Sequence, residues 1–258
     1  LSGKRKNSQL TRPNSLTFPV LYPFYFPQSM LYCYPEKAEM EERYKGMEFK
    51  QLTGVAPEIL RAVEEMGFTA MTEVQEKAIP VMMSGREIIA KAPTGTGKTC
   101  AFGIPLVQRA RADAPWIQSV VLCPTRELCT QIVDELRALS KYREGIRVAA
   151  VYGGQAMRPQ IEALKRNPQI VVATPGRLLD HMKHRTIRVD KVSTVVLDEA
   201  DEMLDMGFFK DVRRILDSLP KKEQMVMFSA TISREVMAIG WLYQRDAEEI
   251  TVRPVEES

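Results

Sequence analysis

The sequence predicts an α/β domain in which helices cover both faces of a mostly parallel β-sheet. Short apolar runs bounded by turn residues alternate with amphipathic helical patterns, which is typical of buried parallel strands and their crossover helices. Ligands bind such sheets at the carboxyl ends of the strands, so the residues just after each run are the candidates for function. The predicted strands lie at 88–90, 119–123, 148–152, 170–173, 194–197, 225–228 and, closing the domain, 249–252.

The composition is that of an ordinary globular protein. Its 258 residues are 45% hydrophobic, and 36 Lys and Arg stand against 33 Asp and Glu, a net charge of +3. Any affinity for nucleic acid must therefore come from local clusters of charge. The four cysteines form no Cys-x-x-Cys pair, which favours reduced thiols and a cytoplasmic protein over a disulfide or zinc framework. They are Cys33, Cys100, Cys123 and Cys129.

Residues 1–46 differ from the rest, because seven of the seventeen Phe and Tyr residues lie between positions 18 and 34. Pro19, Pro23 and Pro27 disfavour a membrane helix, since they would leave backbone groups unpaired in lipid. They also disfavour a secretory signal, as does the lack of an Ala-x-Ala-like cleavage site. We interpret residues 1–46 as an unstructured extension or as translated sequence upstream of the natural start, and residues 47–258 as the folded domain.

Two helices are predicted ahead of the first strand. Apolar residues recur near helical spacing over 52–66, and Gly67 follows where a helix C-cap would place it. A second helical run covers 74–83, with Thr72 as its N-cap and Ser84-Gly85 as its end.

A phosphate loop follows the first strand. The stretch fits Gly-x-x-x-x-Gly-Lys-Thr with alanine in place of the first glycine, and it consists of Ala92, Pro93, Thr94, Gly95, Thr96, Gly97, Lys98 and Thr99. A strand that opens into such a loop and then a helix turns several backbone N–H groups toward one polyphosphate. Lys98 would reach the β- and γ-phosphates, and the Thr99 hydroxyl would hold Mg²⁺. The alternative is a Gly-rich turn with a solvated lysine.

Gln75 stands in the first turn of the second helix, ahead of the phosphate loop. A glutamine amide can pair with both N6 and N7 of adenine, so it could read the base of ATP. The alternative is an exposed glutamine at a helix start.

Acidic residues follow the strand at 194–197. Asp198 would hold Mg²⁺, and Glu199 would orient and deprotonate the water that attacks the γ-phosphate. The alternative is an acidic first turn of a helix. Together with the phosphate loop, these acids predict an ATP-hydrolysing site.

Three further strands end in groups that suit a sugar-phosphate backbone. Hydroxyls, arginines and exposed N–H groups occur at these loop-to-helix junctions, and such groups bind nucleic acid without reading its sequence. Each short motif is weak alone, because Gly-Gly and Pro-Gly are ordinary turn dipeptides. The candidates are Thr125, Arg126, Gly153, Gly154, Thr174, Gly176 and Arg177.

His181 and His184 stand three residues apart in a basic stretch. No third ligand is nearby in the sequence, so we predict a solvated basic helix end and no metal site.

From position 49 to about 252 the chain resembles the N-terminal RecA-like lobe of the DEAD-box RNA helicases. The Q motif is matched by Phe49, Gly67, Phe68, Thr72 and Gln75, and motif I by Ala92 to Thr99. The RNA-binding motifs are matched by Pro124 to Leu128 (motif Ia), Gly153-Gly154 (the glycine doublet) and Thr174 to Arg177 (motif Ib). Motif II is matched by Asp198 to Asp201, and motif III by Ser229 to Thr231. One departure is Met71, where the family usually has proline.

The resemblance implies a RecA-like P-loop fold, with ATP and Mg²⁺ as cofactors and RNA as partner. It implies that Phe49 stacks on adenine, that Thr72 and Gln75 complete the nucleotide site, and that Lys98 and Glu199 are catalytic. It also implies that Asp201 of motif II, with Ser229 and Thr231 of motif III, couples the nucleotide to RNA-dependent closure.

In the family, a second RecA-like lobe supplies an arginine-rich motif to ATP and the other half of the RNA surface. The residues after Thr231 suffice only for one helix and the strand at 249–252. We therefore expect one lobe of a two-lobe ATP-dependent RNA helicase, nearly inactive alone, with no membrane association and no stable homo-oligomer. The alternatives are a one-lobed nucleotide- or RNA-binding module without unwinding activity, and another P-loop ATPase that acts on DNA.

Overall fold

The computed structural model describes residues 46–252. The predicted N-terminal extension and Cys33 therefore lie outside the described residues, apart from position 46. Where the chain is described, no helix is long and apolar enough to cross a membrane.

Seven parallel strands form one sheet in the order β3-β4-β2-β5-β6-β1-β7. Their Val- and Ile-rich runs suit a sheet that is buried on both faces. The strands are β1 (Ile88–Lys91), β2 (Ser119–Leu122), β3 (Val148–Val151), β4 (Ile170–Ala173), β5 (Thr194–Leu197), β6 (Gln224–Ser229) and β7 (Glu248–Thr251). Each predicted strand is confirmed to within a residue at either end, and so is the parallel α/β class.

The helices connect these strands and cover the sheet. They are α1 (Pro57–Glu65), α2 (Glu73–Met83), α3 (Lys98–Arg109), α4 (Arg126–Leu139), α5 (Met157–Leu164), α6 (Pro175–Lys183), α7 (Ala200–Met203), α8 (Phe209–Asp217) and α9 (Arg234–Tyr243). A 3₁₀ turn (Phe49–Gln51) precedes α1, and a π-helical turn (Leu204–Phe208) joins α7 to α8.

Two apolar clusters pack against opposite faces of the sheet. Helices α1 to α4 contribute to one cluster, together with strand residues such as Val121 and Phe228. Helices α5 to α9 contribute to the other, together with neighbouring strand residues such as Val120 and Met227. Successive strand residues therefore face opposite layers, as the pleat requires.

The prediction for the first helix is wrong at its start. The helix begins at Pro57 instead of 52, and Gly54 turns the chain ahead of it with φ 80°. Leu52 and Val55 pack against the core from this irregular segment, so their spacing imitates a helical face. The second helix agrees with its prediction at Thr72, Met83 and Ser84.

Candidate functional site

The site lies at the carboxyl ends of three adjoining strands. The sheet order places β6 between β1 and β5, so the phosphate loop after β1 lies close to Asp198 after β5. Thr94 Oγ1 donates a hydrogen bond to Glu199 Oε1 at 3.5 Å. The structure thus brings the two predicted halves of an ATP site together.

The phosphate loop leads directly into α3, whose N-cap is Gly97. Gly97 has φ 86°, a conformation that costs little only for glycine. A Cβ there would lie 2.4 Å from the Gln75 amide nitrogen. Within the loop, the Thr96 hydroxyl donates to the Pro93 carbonyl at 2.8 Å.

Lys98 and Thr99 occupy the first turn of α3. The Lys98 ammonium is buried and donates to the Ala92 carbonyl at 3.4 Å, so it turns back over the loop. Thr99 is half-buried, while Thr94 and Gly95 are exposed at the rim. The first turn of α3 therefore places one ammonium and one hydroxyl beside the loop, and a helix start of this kind suits a polyphosphate.

Gln75 links the second helix to the phosphate loop, a contact that sequence reasoning missed. Its amide oxygen accepts from the Thr72 backbone N–H at 2.9 Å, and its amide nitrogen donates to the Gly97 carbonyl at 3.0 Å. The Thr72 hydroxyl donates to the Thr96 carbonyl at 2.8 Å. Because an amide has a second hydrogen and a second lone pair, Gln75 retains one donor and one acceptor for a base.

Phe49, the residue expected to stack on adenine, lies in the core with 4% of its surface exposed. Little of its ring faces outward in this structure, so its stacking on adenine stays a prediction.

Asp198 is a buried carboxylate with 2% of its surface exposed. Its Oδ1 accepts a hydrogen bond from the Glu199 backbone N–H at 3.0 Å. Burial raises the pKa of Asp198 to about 6, against the attraction of Lys98 and with added repulsion from Glu199. A buried acid that lacks a full counter-charge fits a bound cation, so the residues present suit Mg²⁺.

We expect the metal-free protein to lose stability relative to an Asp198→Asn variant as pH rises through about 6. A raised pKa means that the fold favours the protonated acid, so the favourable contribution is complete below the unfolded pKa and is lost above the folded one. A shift of about two units corresponds to about 3 kcal/mol. About half of this loss, roughly 1.4 kcal/mol, falls between pH 5 and pH 8. Urea unfolding at those two pH values measures it, and a pH-independent difference contradicts it.

Glu199 adopts a left-handed conformation, with φ 50° and ψ 52°, directly before α7. This conformation is uncommon for a residue with a side chain, and such strain clusters at functional sites. It directs the carboxylate toward Thr94 in the phosphate loop. Sequence pattern placed Glu199 at the site, but it gave no sign of this backbone conformation.

Asp201 joins the acidic motif to the segment after β6. Its Oδ2 accepts from both the backbone N–H and the hydroxyl of Thr231, each at 2.8 Å, and its backbone N–H donates to the Ser229 hydroxyl at 3.0 Å. Burial raises the pKa of Asp201, but the hydrogen bonds with Thr231 and Ser229 lower it by more, so the pKa lies below its usual value. The three residues expected to couple nucleotide to RNA are thus in direct contact.

The candidate nucleic-acid residues lie at the other half of the same edge, after β2, β3 and β4. The Arg126 side chain is exposed, and its guanidinium carbon lies 5.3 Å from the centre of the Tyr152 ring. Thr125 caps α4 by accepting from the Leu128 N–H at 3.2 Å. Gly153 and Gly176 have open space where a Cβ would project, so another chain could approach their backbone.

Arg177 differs from Arg126, because only 13% of its side chain is exposed. Its Nη1 donates to the Gln155 carbonyl at 2.8 Å, and its Nε lies 3.8 Å from an Asp180 carboxylate oxygen. The charge is therefore partly matched within the chain.

The prediction of a solvated basic helix end is wrong for His181. This residue is fully buried, and its ring nitrogens contact Thr186 Oγ1 at 2.7 Å and Gln160 Oε1 at 3.1 Å. His184 is exposed, as predicted. Gln160 was also missed, although a polar residue on an apolar helix face is a signal of a buried hydrogen bond.

The fold and this site define a P-loop domain of the RecA-like type. A family model of the DEAD/DEAH box helicases matches residues 72–239. The chain belongs to the DEAD/DEAH box helicase family.

Relatives and solved structures agree. The chain is 42% identical over 210 residues to the ATP-dependent RNA helicase CshA of Limosilactobacillus reuteri, covering 81% of this chain and 42% of that protein. It is 44% identical over 202 residues to the DEAD-box ATP-dependent RNA helicase CshA of Bacillus subtilis, covering 78% of this chain and 41% of that protein.

The crystal structure of a DEAD box protein from Methanococcus jannaschii matches with a TM-score of 0.76 and 41% identity, covering 80% of this chain and 56% of that chain. The crystal structure of a hypothetical ATP-dependent RNA helicase from Sulfolobus tokodaii matches with a TM-score of 0.70 and 39% identity, covering 76% of this chain and 56% of that chain. The chain spans about two fifths of the length of the curated relatives it matches.

Proposed function

We propose that this chain is the ATP-binding lobe of a DEAD-box RNA helicase. The observation that carries the proposal is the meeting of the phosphate loop with the acidic motif at adjoining strand ends, with Glu199 Oε1 3.5 Å from Thr94 Oγ1. Both halves of an ATP-hydrolysing site therefore belong to one rigid sheet edge.

In this proposal each side chain has a role that follows from its position. The loop N–H groups and Lys98 bind the phosphates, while Thr99 and Asp198 hold Mg²⁺. Bound Mg²⁺ would supply neutralisation of charge at the β- and γ-phosphates. Glu199 orients the attacking water and accepts its proton.

Hydrolysis drives local opening of an RNA duplex when the lobe acts with a second RecA-like lobe. The greater length of the relatives supports this part of the proposal, because it leaves room for another domain. The Asp201–Thr231 contact gives the nucleotide site a direct connection to the segment after β6, which suits a signal passed on closure.

ADP is expected to bind at least about tenfold more tightly than GDP. Gln75 can donate to N7 and accept from N6 of adenine, whereas guanine presents O6 where a donor is needed, and a mismatched buried polar group costs about 1 to 3 kcal/mol. Titration calorimetry with both nucleotides measures the ratio. Gln75→Glu keeps the acceptor for the Thr72 N–H but loses the amide donor, so it should reduce the preference for ADP over GDP. Equal dissociation constants for ADP and GDP in the parent would contradict the role of Gln75 in adenine recognition.

RNA binding is expected to be weak, independent of base sequence and strongly dependent on salt. Arg126→Ala should reduce the slope of log K against log salt by about one, because one phosphate contact is lost. Fluorescence anisotropy with oligouridine at several salt concentrations tests this. Arg188→Ala is the matched control, since Arg188 is exposed and precedes β5, at the amino ends of the strands, whereas Arg126 follows β2 at their carboxyl ends. An Arg126 variant that titrates like its parent places the RNA elsewhere.

A further inference from the structure

The loop between β3 and α5 is held at one end by Gln160 of α5, which contacts His181 of α6, and at the other end directly by α6. Gln160 Nε2 donates to the Tyr152 carbonyl at 2.9 Å, and Gln160 Oε1 lies 3.1 Å from His181 Nε2. At the other end, Arg177 Nη1 donates to the Gln155 carbonyl at 2.8 Å. Arg177 and His181 stand four residues apart and so share one face of α6.

We propose that His181, acting through Gln160, and Arg177 are positioning residues that hold the loop 152–155 in the conformation that presents Gly153 and Gly154 to RNA. The inference rests on the proposed function, because it assigns these residues to the RNA surface of that same lobe. It replaces the direct phosphate contact predicted for Arg177 with a contact to the loop.

The hydrogen-bond pattern determines the proton on His181. The Tyr152 carbonyl needs a donor, so the Gln160 amide nitrogen faces it and the amide oxygen faces His181. His181 Nε2 must therefore carry a hydrogen. The Thr186 hydroxyl lies 2.7 Å from His181 Nδ1 and 3.1 Å from the His181 carbonyl. Because the Thr186 backbone N–H already donates to that carbonyl at 3.0 Å, the single hydroxyl hydrogen is left for Nδ1, which accepts it. The neutral Nε2–H tautomer satisfies every polar atom in this chain of contacts.

Charges around the ring agree with a neutral histidine. Burial and the nearby Arg177 and His184 lower the pKa of His181, while Asp180 opposes them. His181 and Gln160 are thus both neutral, and neither of them brings a charge to a phosphate. This separates positioning from direct contact, since only a direct cationic contact changes the salt slope.

The carboxyl ends of β3 and β4 are neighbours in the sheet, with Val151 opposite Ala173. The glycine doublet follows β3, and Thr174 and Gly176 follow β4. Because α6 begins just after Thr174 and also holds the loop 152–155, the two candidate RNA segments form one surface instead of two independent loops.

The test compares RNA affinity, salt slope and nucleotide affinity in variants of the full chain, with oligouridine as the probe. Gln160→Leu has a similar side-chain volume, adds no charge and loses the donor to Tyr152, and we expect about tenfold weaker RNA binding with an unchanged salt slope and unchanged ADP affinity. His181→Leu should behave likewise, and His181→Gln, which can donate to Gln160, should recover much of the loss. His184→Leu, the exposed neighbour, is the matched control and should bind RNA like the parent.

A spectroscopic readout is independent of affinity. The chain has two histidines, so a long-range ¹⁵N spectrum separates them, and His181 should appear as the neutral Nε2–H tautomer near pH 7.

Unchanged RNA affinity in Gln160→Leu overturns the inference. A salt slope reduced by one in that variant, or an Nδ1–H tautomer of His181, also overturns it. Loss of ADP binding together with RNA binding also overturns it, because it indicates general structural damage. Failure of the parent itself to bind RNA would instead refute the proposed function.

Discussion

ATP hydrolysis by the 258-residue chain alone is expected to be about 10³- to 10⁵-fold slower than hydrolysis by the same chain joined to a second RecA-like lobe. Lys98, Thr99, Asp198 and Glu199 can bind ATP·Mg²⁺ and the attacking water. Charge that develops on the γ-phosphoryl group also needs an arginine, which the described residues do not bring to the site. That deficit corresponds to about 4 to 7 kcal/mol of transition-state stabilisation.

The measurement is RNA-stimulated phosphate release with and without a second lobe fused after Ser258, alongside nucleotide affinity by calorimetry. We expect affinity in both proteins, but turnover and strand separation only in the fusion. Glu199→Gln in the fusion should abolish turnover and leave ATP bound. Robust RNA-stimulated hydrolysis by the unfused chain would require the one-lobe proposal to be abandoned.

Gly97→Ala is expected to weaken nucleotide binding by about 100-fold. An L-residue at φ 86° costs roughly 1 to 2 kcal/mol, and the added Cβ would displace the Gln75 amide from its bond to the Gly97 carbonyl at a further cost of about 1 kcal/mol. The free loop can relieve both costs by leaving this conformation, so nucleotide binding, which requires the conformation, has to restore them. Because Gln75 is displaced, the preference for ADP over GDP should fall as well.

Gly85→Ala is the matched control for this prediction. Gly85 has a similar φ of 85°, but nothing lies within 4 Å of its added Cβ. The variant should lose about 1 kcal/mol of unfolding free energy and bind nucleotide like the parent. Titration calorimetry measures the nucleotide affinity of both variants. Equal affinities in Gly97→Ala and Gly85→Ala would contradict the prediction that a side chain at position 97 displaces Gln75 and weakens binding.

Much of the site follows from local sequence. The phosphate loop and the acidic motif are short, and their chemistry depends on residues that are adjacent in the chain, so their composition identifies them. The strand predictions succeeded for a similar reason, since a continuous apolar run between turn residues is itself the signature of a buried parallel strand.

The predictions that failed are those in which the structure depends on contacts between residues far apart in the sequence. Leu52 and Val55 have helical spacing, yet they pack from an irregular segment because Gly54 turns the chain and α1 starts only at Pro57. His181 lies in a basic stretch, yet it is buried because Gln160 and Thr186 satisfy its ring. Neither outcome is visible in a window of neighbouring residues.

By itself, the sequence determined the α/β class, the approximate strands and the residues that could bind phosphate, metal and nucleic acid. Only the tertiary structure decided the strand order, which sets the ends of β1, β6 and β5 side by side and groups β3, β4 and β2 at the other half of the edge. The physical reason is that parallel strands pair through crossovers between remote segments, so backbone hydrogen bonds and packing choose the neighbours, whereas apolar periodicity specifies only that a strand exists.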